Sequence, residues 1–301
     1  MRIRRTGAYG ISRDESGRVL LARNSDTSEF PGRWTLPGGG VEQGEHPDEA
    51  VVREFAEETG LDVRIDRLRT VTADVTRLPN GKLEHTDRII YDVTPVSTAL
   101  RPEVDGTTDL VEWVAPDDLA ALPLMAFTAS LLDLPAEAAG GVAEADEELE
   151  RPARVQRFGA YALATDPAGR VLLARISEGY PGAGHWHLPG GGTDHGETPE
   201  EGLARELAEE TSQHGRVTGL LGISHRYDPA AVGPEGVPMD WHVIRVVFRV
   251  SVDVPTEPVV TEAAGGSTAE AGWFNREEVD RLTLTELAHR AVARLDRDRE
   301  S

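Results

Sequence analysis

Cysteine is absent from the 301 residues. That excludes disulfides, thiolate metal sites and cysteine nucleophiles, and it leaves any metal to carboxylate or imidazole ligands. Oxygen ligands favour a hard cation such as magnesium or manganese. Long apolar runs are missing too, since no stretch approaches the roughly 18 apolar residues that a membrane-spanning helix needs. The start, MRIRRTGAYGIS, is basic but alternates polar and apolar positions instead of entering an apolar block, so it does not read as a secretory leader. A cytoplasmic location is therefore expected. Positive charge is the third scarcity, with 31 Lys and Arg against 53 Asp and Glu and a formal charge of −22. Such a chain repels nucleic acid and phosphate-rich ligands at long range. With no basic stripe and no interleaving of aromatic and basic residues, direct nucleic-acid recognition is not expected. A phosphorylated substrate would need cations at its site.

What is present is a soluble globular composition, 39% hydrophobic and 28% charged, and an internal repeat. With a shift of 152 and no gap, residues 7–61 lie over 159–213, and 29 of the 55 aligned positions are identical. GAY, GRVLLAR and LPGGG recur in register, and so do two glutamate-rich segments. Farther on, Trp113 in LVEWVAPDDLAAL and Trp273 in EAGWFNREEVDRL resume the match at a shift of 160, which puts about eight extra residues in the second copy, in the Gly/Pro stretch 228–238. Two domains are expected, 1–135 and 152–301, joined by an Ala/Glu/Gly-rich linker at 136–151 that reads as flexible or as a short helix.

Each copy reads as mixed α and β. RRTGAYGISRDESGRVLLARN predicts a hairpin about a turn at residues 14–17. Pro47 opens a helical stretch to about Thr59, followed by strand-like segments near 61–77 and 87–97 and a terminal helical region. The second copy repeats that order, with strand-like WHVIRVVFRVSV at 241–252.

At about 100° per residue, Glu54, Glu57 and Glu58 share one face of the helix, opposite Val51, Phe55 and Thr59. Glu206, Glu209 and Glu210 do the same opposite Leu203, Leu207 and Thr211. Taken alone, a run such as EFAEE is a solvated helix face. The fixed surroundings change that reading. Gly39, five residues, Glu45, seven residues and then Arg53-Glu54-Phe55-Ala56-Glu57-Glu58-Thr59-Gly60-Leu61 reproduce every fixed position of the Nudix signature. The chain thus resembles Nudix hydrolases over nearly the whole of both copies. The second box keeps Gly191, Glu197, Arg205, Glu206, Leu207, Glu209 and Glu210, but Ser212 and Gln213 replace its last glycine and apolar residue. That departure touches the helix exit more than the chemistry, and Gly215 is a candidate for a helix stop farther downstream.

The resemblance implies two tandem α/β/α sandwich domains with mixed sheets, and metal-dependent hydrolysis of a nucleoside diphosphate linked to another group. It implies Mg2+, or Mn2+, on Glu54, Glu57 and Glu58 and on Glu206, Glu209 and Glu210, with the general base left open among these and a distant loop. Glu45 and Glu197 are placed to pair with Arg53 and Arg205 and hold the loop on the helix. The glycines 38–40 and 190–192, Gly39 and Gly191 among them, let the backbone turn tightly near a ligand. Arg23 and Arg175 end the VLLAR strands where family members contact phosphate; they read equally as solvated strand-end arginines. Trp34 and Trp186 read as core, and His185, His187 and His195 as polar loop residues.

Three functions stay open at this stage: a small-molecule nucleotide pyrophosphohydrolase, a ligand-binding sensor or scaffold with one non-catalytic domain, and a second copy that completes the first site. Pairing of the two domains, or a homodimer, is compatible with the resemblance.

Overall fold

The computed structural model describes residues 2–101, 106–135, 154–232, 238–261 and 266–299. The chain divides into two compact units, one of residues 1–156 and 227–242 and the other of 157–226 and 243–301. The expected linker at 136–151 lies outside the described residues.

The first unit runs β1 (Arg2–Ile11), β2 (Val19–Asn24), β3 (Trp34–Thr35), β4 (Gly38–Gly40), α1 (Pro47–Thr59), β5 (Val63–Arg77), β6 (Leu83–Pro95), β7 (Thr108–Val114) and α2 (Ala126–Leu131). The turn expected between β1 and β2 is present, with the Gly17 N–H donating to the Asp14 carbonyl at 2.9 Å and Asp14 Oδ1 accepting from the Ser16 and Arg18 N–H groups. The hairpin is not. A lone Arg13–Val19 bridge joins the arms, after which β1 enters a sheet of order β4-β1-β6-β5 and β2 a sheet of order β3-β2-β7. The ladders beyond the turn decide this, because β1 pairs in parallel with β6 along its whole length while β2 pairs antiparallel with β7.

Helix α1 covers the residues expected of it. His46 caps it by accepting from the Asp48 N–H at 3.1 Å, while the Glu49 side chain accepts from the His46 N–H at 3.2 Å, and Pro47 sits in the first turn. Val51 and Phe55 are fully buried. The Phe55 ring packs against Gly10 of β1, and the neighbouring Tyr9 meets Phe127 of α2 with ring centroids 5.0 Å apart. Adjacent strand residues point to opposite faces, so α1 and α2 lie on the two sides of the sheet. The core on the α2 side joins Leu21, Trp34, Leu36, Ile90 and Phe127.

The second copy runs β8 (Arg154–Thr165), β9 (Val171–Ile176), β10 (Trp186–His187), β11 (Gly190–Gly192), α3 (Pro199–Thr211), β12 (Arg216–Val232), β13 (Pro238–Ser251), β14 (Thr268–Phe274), α4 (Arg276–Val279) and α5 (Glu286–Arg299). Its strands form one sheet of order β10-β9-β8-β13-β12, with β11 on β8 and β14 on β9. A Thr165–Val171 pair fuses what the first unit keeps as two sheets. Of the stretch expected to hold the extra residues, 228–232 continue β12 and 233–237 lie outside the described residues.

Helix α3 ends at Thr211, the counterpart of Thr59, so Gly215 does not move the stop. Ser212 takes the left-handed exit at φ 54° that Gly60 takes at φ 72°, and its Oγ donates to the Val259 carbonyl at 2.7 Å. Gln213, in the place of buried Leu61, is buried with its amide satisfied. It donates to the Thr211 carbonyl and Thr256 Oγ1 at 3.0 and 2.8 Å and accepts from the Thr256 N–H at 3.0 Å. Among the described residues no helix is long and apolar enough to cross a membrane.

Candidate active site

Arg53 is the hub of the first site. Its Nε and Nη2 donate to the two oxygens of Glu45 at 2.9 and 3.0 Å, and Nη2 also donates to the Gly40 carbonyl at 2.9 Å. Nη1 reaches Glu54 at 2.9 Å and Glu57 at 3.0 Å. One planar fork therefore fastens the glycine loop to the helix and orients two helix carboxylates around one positive charge. Burial works against ionised Glu45, yet the Arg53 and Glu42 hydrogen bonds hold its carboxyl below the ordinary range. Arg205 repeats the arrangement, with Glu197 at 2.8 and 3.0 Å, Glu206 at 2.8 Å, Glu209 at 3.3 Å and the Gly192 carbonyl at 2.9 Å.

The carboxylates do not share one environment. Glu57 is half exposed, with 51% of its side chain open, while Glu54 keeps only 15%. Burial raises the Glu54 carboxyl above its usual range despite the Arg53 contact. Glu58 turns inward, accepting from the Gly38 N–H at 2.9 Å and the Thr108 hydroxyl at 3.0 Å. Glu210 likewise accepts from the Gly190 N–H at 2.8 Å and from the Thr268 hydroxyl. The open carboxylate face read from the helix wheel is thus graded, from exposed Glu57 through Glu54 to buried Glu58. The threonines were missed by sequence reasoning, although each stands five residues before the tryptophan that restarts the repeat at a shift of 160.

A cavity of about 430 Å³ in the first unit brings together Gly39, Glu54, Glu58, Thr35, Arg88 and Phe127. A larger one of about 700 Å³ lies beside it without any of the helix carboxylates, and Phe30, Thr76, Met125 and Phe127 wall both. Arg23 does not line either of them. It forks onto Asp109 of β7 at 2.8 and 3.1 Å, as Arg175 pairs with Glu270 of β14 at 2.5 Å. Two cations line the carboxylate cavity and recur in the second copy, Arg5 as Arg157 at the shift of 152 and Arg88 as Arg245 in the shared pattern His-x-x-Arg of HTDR and HVIR. Trp34 is buried in the core and Trp186 packs partly buried beside Phe274. Of the three histidines, His187 lies in β10 and not in a loop. Inside the first unit, Gln43 Nε2 donates to Asp240 Oδ1 at 3.1 Å and the Gly44 N–H to His242 Nδ1 at 3.2 Å.

The chain matches the family description NUDIX domain over residues 1–134 and again over 155–295. The chain belongs to the Nudix hydrolase family. A MutT-like protein of Streptomyces ambofaciens is 32% identical over 124 residues, covering 41% of this chain and 72% of that protein. Nucleoside triphosphatase NudI of Escherichia coli is 29% identical over 134 residues, covering 43% of this chain and 95% of its own. Among solved structures, the MutT Nudix hydrolase of Burkholderia pseudomallei is 29% identical, with a TM-score of 0.36, 43% of this chain and 96% of that chain covered. Each of these matches less than half of the present chain.

The Nudix boxes offer a divalent cation hard oxygen donors of suitable chemistry. Among the described residues no three acidic or imidazole side chains converge on one point as they stand. In the first box Arg53 is the positive partner that Glu54 and Glu57 share. Glu58 accepts from Gly38 and from Thr108 through different oxygens, and a carboxylate has about four lone-pair sites. Gly39 leaves the space that Glu54 fills, since a Cβ there would stand 2.6 Å from the Glu54 carboxylate. The donor set fits.

Proposed function

We propose that both units are divalent-cation-dependent pyrophosphohydrolases acting in the cytoplasm on nucleoside diphosphates linked to another group, with water attacking phosphorus. One observation carries this reading: Arg53 and Arg205 hold their carboxylates through the same set of partners in both units. Glu54, Glu57 and Glu58 would hold Mg2+ or Mn2+ in the first unit, and Glu206, Glu209 and Glu210 in the second. Such a cation neutralises the phosphoanhydride and makes water a better nucleophile at neutral pH. The chain's own part is orientation. Arg53 holds Glu54 and Glu57 around one charge, and Glu58 ties the helix to the loop through Gly38. The exit formed by Ser212 leaves α3 the same length as α1, so the altered second box gives no support to a binding-only second unit.

Glu57→Gln, Glu209→Gln and the double variant test this by phosphate and pyrophosphate release over a nucleotide panel with Mg2+ or Mn2+. The double variant is expected to lose at least about 100-fold in turnover, beyond the loss usual for supporting groups of a metal site. Unchanged turnover in the double variant refutes the reading. A single variant as inactive as the double would assign catalysis to one unit.

A further inference from the structure

Arg88 and Arg245 hold one position in the two repeats, but their surroundings are opposite in charge. LEHTDRIIYDV and DWHVIRVVFRV align at a shift of 157, which matches His85 with His242 and Arg88 with Arg245. In the first unit Arg88 is neutralised. Its Nε donates to Asp74 Oδ1 at 2.5 Å, its Nη1 to the Tyr9 hydroxyl at 2.9 Å, and its guanidinium carbon lies 3.8 Å above the Phe127 ring.

The second unit changes these partners. Carrying the ungapped shift of 152 along β5 and β12 puts Arg226 where Asp74 stands. The bridges Trp34–Leu124 and Trp186–Leu284 align the following helices at a shift of 160, which puts Leu287 in the place of Phe127. The buried Nε of Arg245 has no hydrogen-bond partner. Burial holds the Arg245 guanidinium below the ordinary arginine range; Tyr161 opposes this, and Arg226 adds to it. Glu286 also acts on Arg245, but that carboxylate is bridged by Arg290.

A second polar atom is left over in the same unit. His187 replaces Thr35, both pairing with an alanine of the neighbouring strand, Ala174 and Ala22. Thr35 lines the cavity of the first unit, and its hydroxyl meets that of Thr128 at 3.4 Å. Ala288 takes the place of Thr128, and His187 Nε2 is buried with no partner. Burial holds this imidazole down to about 4, so it is neutral at physiological pH. Tyr161, which acts on Arg245, stands opposite Gly190 in the β8–β11 ladder, and the Gly190 N–H donates to Glu210 of the Nudix box at 2.8 Å. Unpartnered buried donors are costly, and a ligand that satisfies them recovers the cost.

We propose that the second site takes a nucleotide bearing a phosphomonoester in addition to its phosphoanhydride, the extra phosphate held by Arg245 and Arg226 with His187 as a further hydrogen-bond partner. The first site, with Arg88 already neutralised, takes the counterpart without that group. Two guanidinium groups suit a dianionic phosphomonoester better than a singly charged carboxylate. The phosphoanhydride part rests on the hydrolase reading above; the phosphomonoester part does not.

The test is calorimetric titration of the full chain in EDTA with adenosine 3′,5′-bisphosphate and with AMP. The bisphosphate is expected to bind at least about tenfold more tightly, a difference well resolved by calorimetry. Arg245→Gln and Arg226→Asp are each expected to shrink that preference to about threefold or less. Arg226→Asp restores the carboxylate that neutralises Arg88 in the first unit and changes an exposed strand position, so it reports even where Arg245→Gln fails to fold. Equal affinities for the two probes on the unaltered chain overturn the proposal, as does a preference that survives Arg226→Asp. EDTA removes turnover from the measurement, so a chain that hydrolyses nothing yet keeps the preference overturns only the hydrolase reading.

Discussion

Gly39 shows how a single missing Cβ serves the site. The carboxylate that an added Cβ would meet at 2.6 Å is the far end of the flexible Glu54 side chain, which gives way more easily than backbone. Gly39→Ala is therefore expected to leave the fold intact and displace Glu54. Turnover by the first site should fall by at least about tenfold, since misplacing a reacting group by about 1 Å costs up to roughly 100-fold. Thermal denaturation should move by less than about 2 °C, the shift worth roughly half a kcal/mol in a domain of this size. Full activity together with a large loss of Tm would show that the glycine serves only packing. At this scale the Glu45–Arg53 pair was legible from spacing, because eight residues of loop and helix bring the two together. Thr108 was not, because its partner Glu58 lies 50 residues earlier and only β7 delivers the hydroxyl.

At the scale of elements, the two helices solve one exit with different residues. A left-handed exit costs an L-residue about 1–2 kcal/mol relative to glycine. In the second copy the Ser212 bond to Val259 offsets part of that cost. Gly60→Ser is accordingly expected to destabilise the first unit by at least about 1 kcal/mol, because an added Cβ would stand 2.8 Å from the Arg101 Cβ and 3.0 Å from its backbone nitrogen. Ser212→Gly should be nearly neutral in the second, because the favourable backbone term is opposed by loss of a hydrogen bond worth about 1 kcal/mol. Urea unfolding of the two variants measures both; a marked stabilisation by Ser212→Gly would show that the Val259 bond contributes nothing. The strands taught a different lesson. Alternation and the turn at residues 14–17 predicted a hairpin, yet turn chemistry is local while the ladder to β6 is not, so β1 and β2 part into different sheets.

At the scale of the whole molecule, a charge of −22 opposes the approach of any polyphosphate. Screening weakens that repulsion, as the Debye length falls from about 30 Å at 0.01 M to about 10 Å at 0.1 M ionic strength. At fixed free Mg2+, kcat/KM for a nucleotide substrate is expected to rise severalfold across that range. A fall across the same range would show that the local field of the sites is positive and dominates encounter. Either result is read from initial rates in buffers that differ only in neutral salt.

The sequence by itself determined the tandem repeat, the Nudix boxes, the length of the carboxylate helices and the pairing of Glu45 with Arg53. These are properties of short spacings, and a helix converts spacing directly into direction. Only the tertiary structure decided that Glu58 is buried, that Arg23 is spent on Asp109 away from the carboxylate cavity, and that Arg88 is neutralised while Arg245 is not. Those outcomes depend on partners brought from other strands, and sheet pairing selects such partners by the sum of many contacts that no single spacing encodes.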